Sequence, residues 1–377
     1  MKKIKVLSVF GTRPEATKMA PLIKKMATAD WLESKVCVTG QHREMLDQVL
    51  DLFKLDVDYD LNIMRQNQTL VDIMSRTLVG FDAVLDKESP DLVLVHGDTS
   101  TAFAAAFTAY NKQYAVGHVE AGLRSRDKWS PFPEEMNRRL IDTVADLFFA
   151  PTEQNKQNLI DENIAAEQIY VTGNTSIDAI KWVTAQPYQF DDARLNDIVS
   201  SDQRLIVVTA HRRENLGDRM RGVFNAIKRL VETYDDIVVV YPVHLNPKVQ
   251  VVANEVLAGV RRVHLIDPLA YKPFAHLMAH AHLILTDSGG LQEEAPALDK
   301  PVVVLRTETE RPEALAAGTI VLAGVEPETI FQKTCQILND QNLYRQIASA
   351  KNPYGDGTAC AKIIVAIKDW AFQSQYD

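Results

Sequence analysis

The feature that most limits how this chain can fold is an alternation. Short apolar, β-branched runs are separated by longer stretches of helical period. The runs are Val6 to Phe10, Val36 to Thr39, Leu92 to His96, Ala115 to Val119, Leu147 to Ala150 and Ile169 to Thr172. A second set follows at Leu205 to Thr209, Ile237 to Tyr241, Val263 to Ile266, Leu283 to Thr286 and Val302 to Leu305. Strands buried on both faces and joined by helical crossovers produce this pattern, so it predicts α/β domains with parallel sheets. Between two of the runs, Leu70, Ile73, Met74, Thr77, Leu78, Phe81 and Leu85 recur every three or four residues, which predicts an amphipathic helix packed on a sheet. The polar stretch Gln186 to Gln203, with Pro187 and Asp191-Asp192, suits a linker between two halves. At 377 residues the chain is long enough for two doubly wound, Rossmann-like domains facing a cleft.

Composition narrows the function classes. The 41 basic and 50 acidic residues give a net charge of −9, which argues against a nucleic-acid or membrane-surface binder. The three cysteines, Cys37, Cys335 and Cys360, have neither disulfide-framework nor metal-ligand spacing, so no metal is expected. No secretory apolar region or spanning segment stands out, and the expected location is the cytoplasm. Neither a P-loop nor a glycine-rich dinucleotide fingerprint follows the first strand, which disfavours ATP and NAD.

The residues that follow strand ends carry the chemical information. Gly11-Thr12-Arg13-Pro14-Glu15 opens a helix after the first strand, and Arg13 with Lys18 would bring two cations to its N-terminus, where an anion such as a phosphate fits. A plain strand-to-helix turn would explain the same segment. Asp98 and Glu120 follow two neighbouring strands, and Glu134 stands at a predicted helix start after Pro131 and Pro133. Carboxylates converging in a cleft can have their pKa values driven apart, so that one accepts a proton while another donates. The plainer explanation is helix capping. In the second half, His211 and Arg212 follow the first strand and His244 the second, while Asp287-Ser288-Gly289-Gly290 lies between a strand and a predicted helix. Ser288, Gly289 and Gly290 would let backbone N–H groups approach a diphosphate, with Glu294 accepting from ribose hydroxyls and Arg311 adding charge. His276, His280 and His282 read as packing or solvent-facing side chains.

Taken in order, Phe10-Gly11-Thr12-Arg13-Pro14-Glu15-Ala16, Gln41-His42-Arg43, His96-Gly97-Asp98, His118-Val119-Glu120-Ala121-Gly122, Ser130 to Glu135, Asp287-Ser288-Gly289-Gly290 and Arg311-Pro312-Glu313 resemble one family, the non-hydrolysing bacterial UDP-N-acetylglucosamine 2-epimerases. The resemblance extends to Asn352-Pro353-Tyr354-Gly355-Asp356-Gly357 and so spans nearly the whole chain. It implies a glycosyltransferase-B layout, with residues 1–175 plus 359–377 as the first domain and 176–358 as the second, the last helix crossing back onto the first. It implies a homodimer that interconverts UDP-N-acetylglucosamine and UDP-N-acetylmannosamine without NAD or any other cofactor, for surface polysaccharide synthesis. UDP would leave by anti elimination to give a bound 2-acetamidoglucal and then add back. Matched residue by residue, Asp98, Glu120 and Glu134 are the acid/base carboxylates. His211 joins them as a catalytic residue, assisting UDP departure with Arg13, Lys18, Ser288, Gly289, Gly290 and Arg311. Phe274 matches a residue near the uracil and Glu294 the ribose contact. Some members are activated by a second UDP-N-acetylglucosamine molecule. Gln41, Arg212 and His244 match that site, whereas Glu44 and Asn67 replace a glutamine and an arginine, which argues against strong activation. Alternatives of other kinds are an epimerase of a related UDP sugar, a hydrolysing epimerase, a glycosyltransferase and a nucleotide-sugar sensor. The last two have no need of all three carboxylates.

Overall fold

A computed structural model describes residues 3–40 and 43–373. The chain divides into two compact units, one running to Ala179 and resuming from Tyr354, the other Ile180–Pro353. Each is built on one parallel sheet.

In the first unit the strands are β1 (Ile4–Phe10), β2 (Leu32–Val38), β3 (Tyr59–Asp60), β4 (Leu92–His96), β5 (Ala115–Val119), β6 (Leu147–Ala150) and β7 (Ile169–Val171), in the order β3-β2-β1-β4-β5-β6-β7. The second contains β8 (Arg204–Thr209), β9 (Ile237–Pro242), β10 (Val263–Ile266), β11 (Leu283–Thr286), β12 (Val302–Val304) and β13 (Ile320–Leu322), in the order β10-β9-β8-β11-β12-β13. Both orders reverse direction once, between β1 and β4 and between β8 and β11. At such a reversal the crossover helices diverge to opposite faces and leave a crevice at the strand carboxyl ends.

All eleven apolar runs form strands. The two-residue β3 and the three-residue β13 escape sequence reading because so short a segment carries no period. The helix Leu70–Glu88 buries Ile73, Thr77, Phe81, Val84 and Leu85 against β1 and β4 residues such as Val9 and Val95, so the expected face is largely the buried one; Leu70 is exposed. Thr69 and Asp72 cap it reciprocally. The stretch expected to be a linker is instead packed. Asp192 caps the helix Ala193–Val199 through the Arg194 N–H at 2.9 Å, and Phe190, Leu195 and Ile198 are buried. Its polar surface residues hid one apolar face.

The final helix, Ala359–Gln373, belongs to the first unit. The Asp178 carboxylate accepts the Ala359 and Cys360 N–H groups at 3.1 and 3.0 Å, which anchors its first turn. No described helix is long and apolar enough to cross a membrane.

Gly11 is required here for close approach. A Cβ at Gly11 would lie 1.9 Å from Thr39 Oγ1, and its φ is not in the left-handed region, so the glycine serves close packing against the end of β2 rather than a turn. Gly11→Ala is expected to lower unfolding stability in urea by about 1–3 kcal/mol, with part of the loss recovered by adding Thr39→Ala. Thr39 Oγ1 has no hydrogen-bond partner to forfeit. Absence of recovery would show that the clash is not the cause.

Candidate active site

In the first unit the candidate residues gather at the reversal of strand order. His96 ends β4 opposite Val119 at the end of β5. Gly97 and Glu120 then both take positive φ, +66° and +69°, which turns the chain and delivers Asp98 and Glu120 from neighbouring strand ends. A left-handed glutamate is strained, and such strain tends to persist where function holds it. Helix capping does not explain Asp98, because Thr99 caps Ser100–Asn111 by accepting the Ala102 N–H at 3.0 Å. Glu134 is the first residue of the helix Glu134–Val144, as expected.

Four residues along that helix, Arg138 is buried and pairs with Asp98 at 2.7 Å and with the fully buried Glu135 at 3.4 Å. Burial raises the Asp98 carboxyl above its ordinary range; Arg138 opposes the shift, and Glu120 and Glu134 reinforce it by repulsion. All three carboxylates therefore share one electrostatic neighbourhood. Glu120 is ion-paired to Lys18 and accepts from Asn174 Nδ2 at 2.8 Å. Beneath it lies His96, 3% exposed, with its Nε2 3.8 Å from the Glu120 carboxylate and both ring nitrogens without hydrogen bonds. Burial pushes the His96 imidazole down to about 3.

The helix N-terminus at Arg13 does not stand open to an external anion through its first amides. Glu15, 2% exposed, accepts the N–H groups of Gly11 and Thr12 at 3.0 and 2.8 Å and the hydroxyls of Thr12 and Thr99 at 2.7 Å each. The chain's own carboxylate takes these first amides, Lys18 reaches Glu120, and Arg13 is solvent-exposed.

In the second unit, His211 and Arg212 follow β8 and Asp287 follows β11, again at the reversal. The fully buried Asp287 accepts the backbone N–H groups of His211 and Arg212 at 2.8 Å each and Asn215 Nδ2 at 3.2 Å. His211 stacks on His244, with centroids 5.1 Å apart. Ser288, Gly289 and Gly290 lead into Leu291–Glu294, a helix of a single turn that continues as a 3-10 segment. A Cβ at Gly289 would meet Arg212, Glu310 and Arg311 at 3.7–3.9 Å, and one at Gly290 would meet nothing within 4 Å. Arg311 is ion-paired to buried Glu293, while Arg212 lies 3.6 Å from Glu310, so basic and acidic groups alternate around the glycines. Phe274 is half-buried in the first turn of Tyr271–His280. Tyr271 has a buried hydroxyl without a partner, and its pKa is raised well above the ordinary value, by burial and then by Glu294. His276 and His282 stack on Tyr188 and Tyr344, as packing residues would. Gln41 lies outside the described residues.

Sequence reading missed Arg138, His96 and Asn174. Arg138 had a usable signal, because four residues after Glu134 puts it on the same helix face. The other two announce themselves only through burial beside Glu120.

A family model described as UDP-N-acetylglucosamine 2-epimerase matches residues 24–368. The chain is 52% identical over 364 residues to the UDP-N-acetylglucosamine 2-epimerase of Bacillus subtilis strain 168, covering 97% of this chain and 95% of that one. To the enzyme of the same name from Escherichia coli K12 it is 50% identical over 371 residues, covering 97% and 99%. It is also similar to the crystal structure of UDP-GlcNAc 2-epimerase from Neisseria meningitidis bound to UDP-GlcNAc, with 45% identity, a TM-score of 0.85 and coverage of 97% and 100%.

His96 offers a check on the buried site. An unfolded chain takes up a proton near pH 6.5 where the folded one does not, so stability falls as pH drops from 6.5 toward about 3. The slope reaches about 1.4 kcal/mol per pH unit. His96→Gln should flatten that slope between pH 6 and 4 in urea titrations. Parallel curves for the two proteins would contradict a buried neutral imidazole.

Proposed function

The chain belongs to the UDP-N-acetylglucosamine 2-epimerase family, and on that premise we propose that it interconverts UDP-N-acetylglucosamine and UDP-N-acetylmannosamine by inverting C2. It is an isomerase acting on a nucleotide sugar. The observation that carries the mechanism is the Asp98 carboxyl, raised by burial and by repulsion from Glu120 and Glu134 while Arg138 restrains it.

The C2 proton is weakly acidic, so it must leave as the C1–O bond breaks. One carboxylate of the trio takes the proton, the C2–H electrons form the C1–C2 double bond, and the C1–O pair departs with UDP. A second carboxyl then protonates the opposite face of C2, and UDP re-adds at C1. Groups whose proton affinities are set apart by burial and mutual repulsion can play both parts. Lys18 and Arg138 offset the negative charge that gathers there.

Departure of UDP calls for cations and aimed dipoles where charge develops. Arg13, His211, Arg311 and the backbone at Ser288, Gly289 and Gly290 take this role in our reading, with Phe274 near the uracil and Glu294 on the ribose. The diphosphate would draw Arg311 from Glu293. Arg212, His244 and Gln41 match a site for a second nucleotide-sugar molecule, but with Glu44 and Asn67 at two of its positions we read activation through it as weak. The working form is read as a cytoplasmic homodimer. Three free cysteines suit a reducing compartment, and Val79, Phe107 and Tyr110 are exposed on two adjoining helices of the first unit. Light scattering at twice the 42.2 kDa chain mass would support the dimer, and the chain mass alone would exclude it.

Incubation with UDP-N-acetylglucosamine in D2O, with no added cofactor, should yield UDP-N-acetylmannosamine deuterated at C2 by NMR. Asp98→Asn, Glu120→Gln and Glu134→Gln should each slow that exchange by about 10²- to 10⁴-fold. Accumulation of UDP with free N-acetylmannosamine would make the enzyme hydrolysing, and an undeuterated, unchanged substrate would sink the reading.

A further inference from the structure

The second unit contains a buried carboxylate that no step above uses. Asp287 is fully buried, and its Oδ2 is saturated by the backbone N–H groups of His211 and Arg212 and by Asn215 Nδ2. Its Oδ1 makes no hydrogen bond, yet the His211 Nδ1 lies 3.4 Å away. A buried carboxylate oxygen left without a donor is costly. The alternative donor, the Tyr241 hydroxyl, is engaged with the Ala210 carbonyl at 2.6 Å. The charged or titratable groups around His211 are Asp287 from the end of β11, His244 from beyond β9 and Arg212 from its own loop. The Nδ1 of His244 accepts the Asn246 N–H at 3.0 Å, and its ring only stacks on His211.

We propose that Asp287 is the positioning residue of His211. Its Oδ1 accepts the Nδ1–H, which fixes the tautomer and the ring plane and leaves Nε2 as the nitrogen that serves the departing diphosphate. Burial disfavours the His211 imidazolium and the Asp287 carboxylate opposes that shift, so that Nε2–H can donate to the diphosphate oxygen as it receives the C1–O electron pair. This rests on the reading that His211 assists UDP departure. The arrangement needs a fixed acceptor on the far side of the ring, and Asp287 is held in place by three donors of its own.

The test uses the full-length protein labelled with 15N-histidine, with the His211 resonances assigned through His211→Gln. Long-range 1H–15N spectra of the neutral ring should show Nδ1 protonated in the wild type. Asp287→Asn can keep one oxygen for the backbone amides but turns an NH2 toward Nδ1, so the proton should move to Nε2. In that variant kcat should fall about 10²-fold, with KM for UDP-N-acetylglucosamine within about twofold. A wild-type ring protonated at Nε2, or an unchanged tautomer and kcat in Asp287→Asn, overturns the proposal. If that variant does not fold, the wild-type tautomer alone decides. Wild-type kcat in His211→Gln would instead overturn the role of His211, a separate result that leaves the tautomer measurement standing.

Discussion

The candidate chemistry depends on holding carboxylates together in a place where water screens them only in part. Charges of one sign brought to neighbouring strand ends repel strongly when buried, and burial alone favours their neutral forms. The protein meets this with cations from other elements: Arg138 on Asp98 and Glu135, and Lys18 on Glu120. Neither pair is a surface decoration, since Arg138 is almost fully buried and breaking its pairs would leave charges uncompensated. The Arg138 pairing that keeps this part of the fold intact also restrains the rise that burial gives the Asp98 carboxyl.

The two units solve the placement problem in the same way. Each reverses its strand order once, and each sends its polar residues out of the strands beside that reversal. In the first unit these are carboxylates suited to moving a proton; in the second they are His211, Arg212 and the Ser288-Gly289-Gly290 turn, suited to a diphosphate. Buried acidic residues brace both. Glu15 ties the loop after β1 to Thr99, and Asp287 ties the loop after β8 to β11.

Much of this was legible in the sequence, for reasons that can be named. Parallel strands are buried on both faces, so their apolar runs stand out, and the residues just after them can be read as site candidates. Asp98 and Glu120 were singled out that way, and Glu134 by the two prolines that precede a helix start. What stayed hidden was whatever depends on a partner distant in sequence. Glu15 could be read as part of an open anion site until its bonds to Gly11, Thr12 and Thr99 showed that it occupies that place itself. The short strands β3 and β13 pair at the sheet edges over two and three residues, too few to show a period. His96 looked like part of a motif, and only its burial beside Glu120 gives it a physical role. The helix at Ala193–Val199 was masked by Pro187 and the aspartates around it.

Within the carboxylate trio, Arg138 restrains the rise in proton affinity that burial gives Asp98. The pH dependence of kcat/KM for UDP-N-acetylglucosamine, compared between the wild type and Arg138→Gln, tests it most directly. Removing the cation takes away the interaction that lowers the Asp98 pKa, so the limb of the profile governed by Asp98 should move to higher pH. A folded variant whose profile keeps its limbs where the wild type has them, at whatever overall rate, would contradict the account.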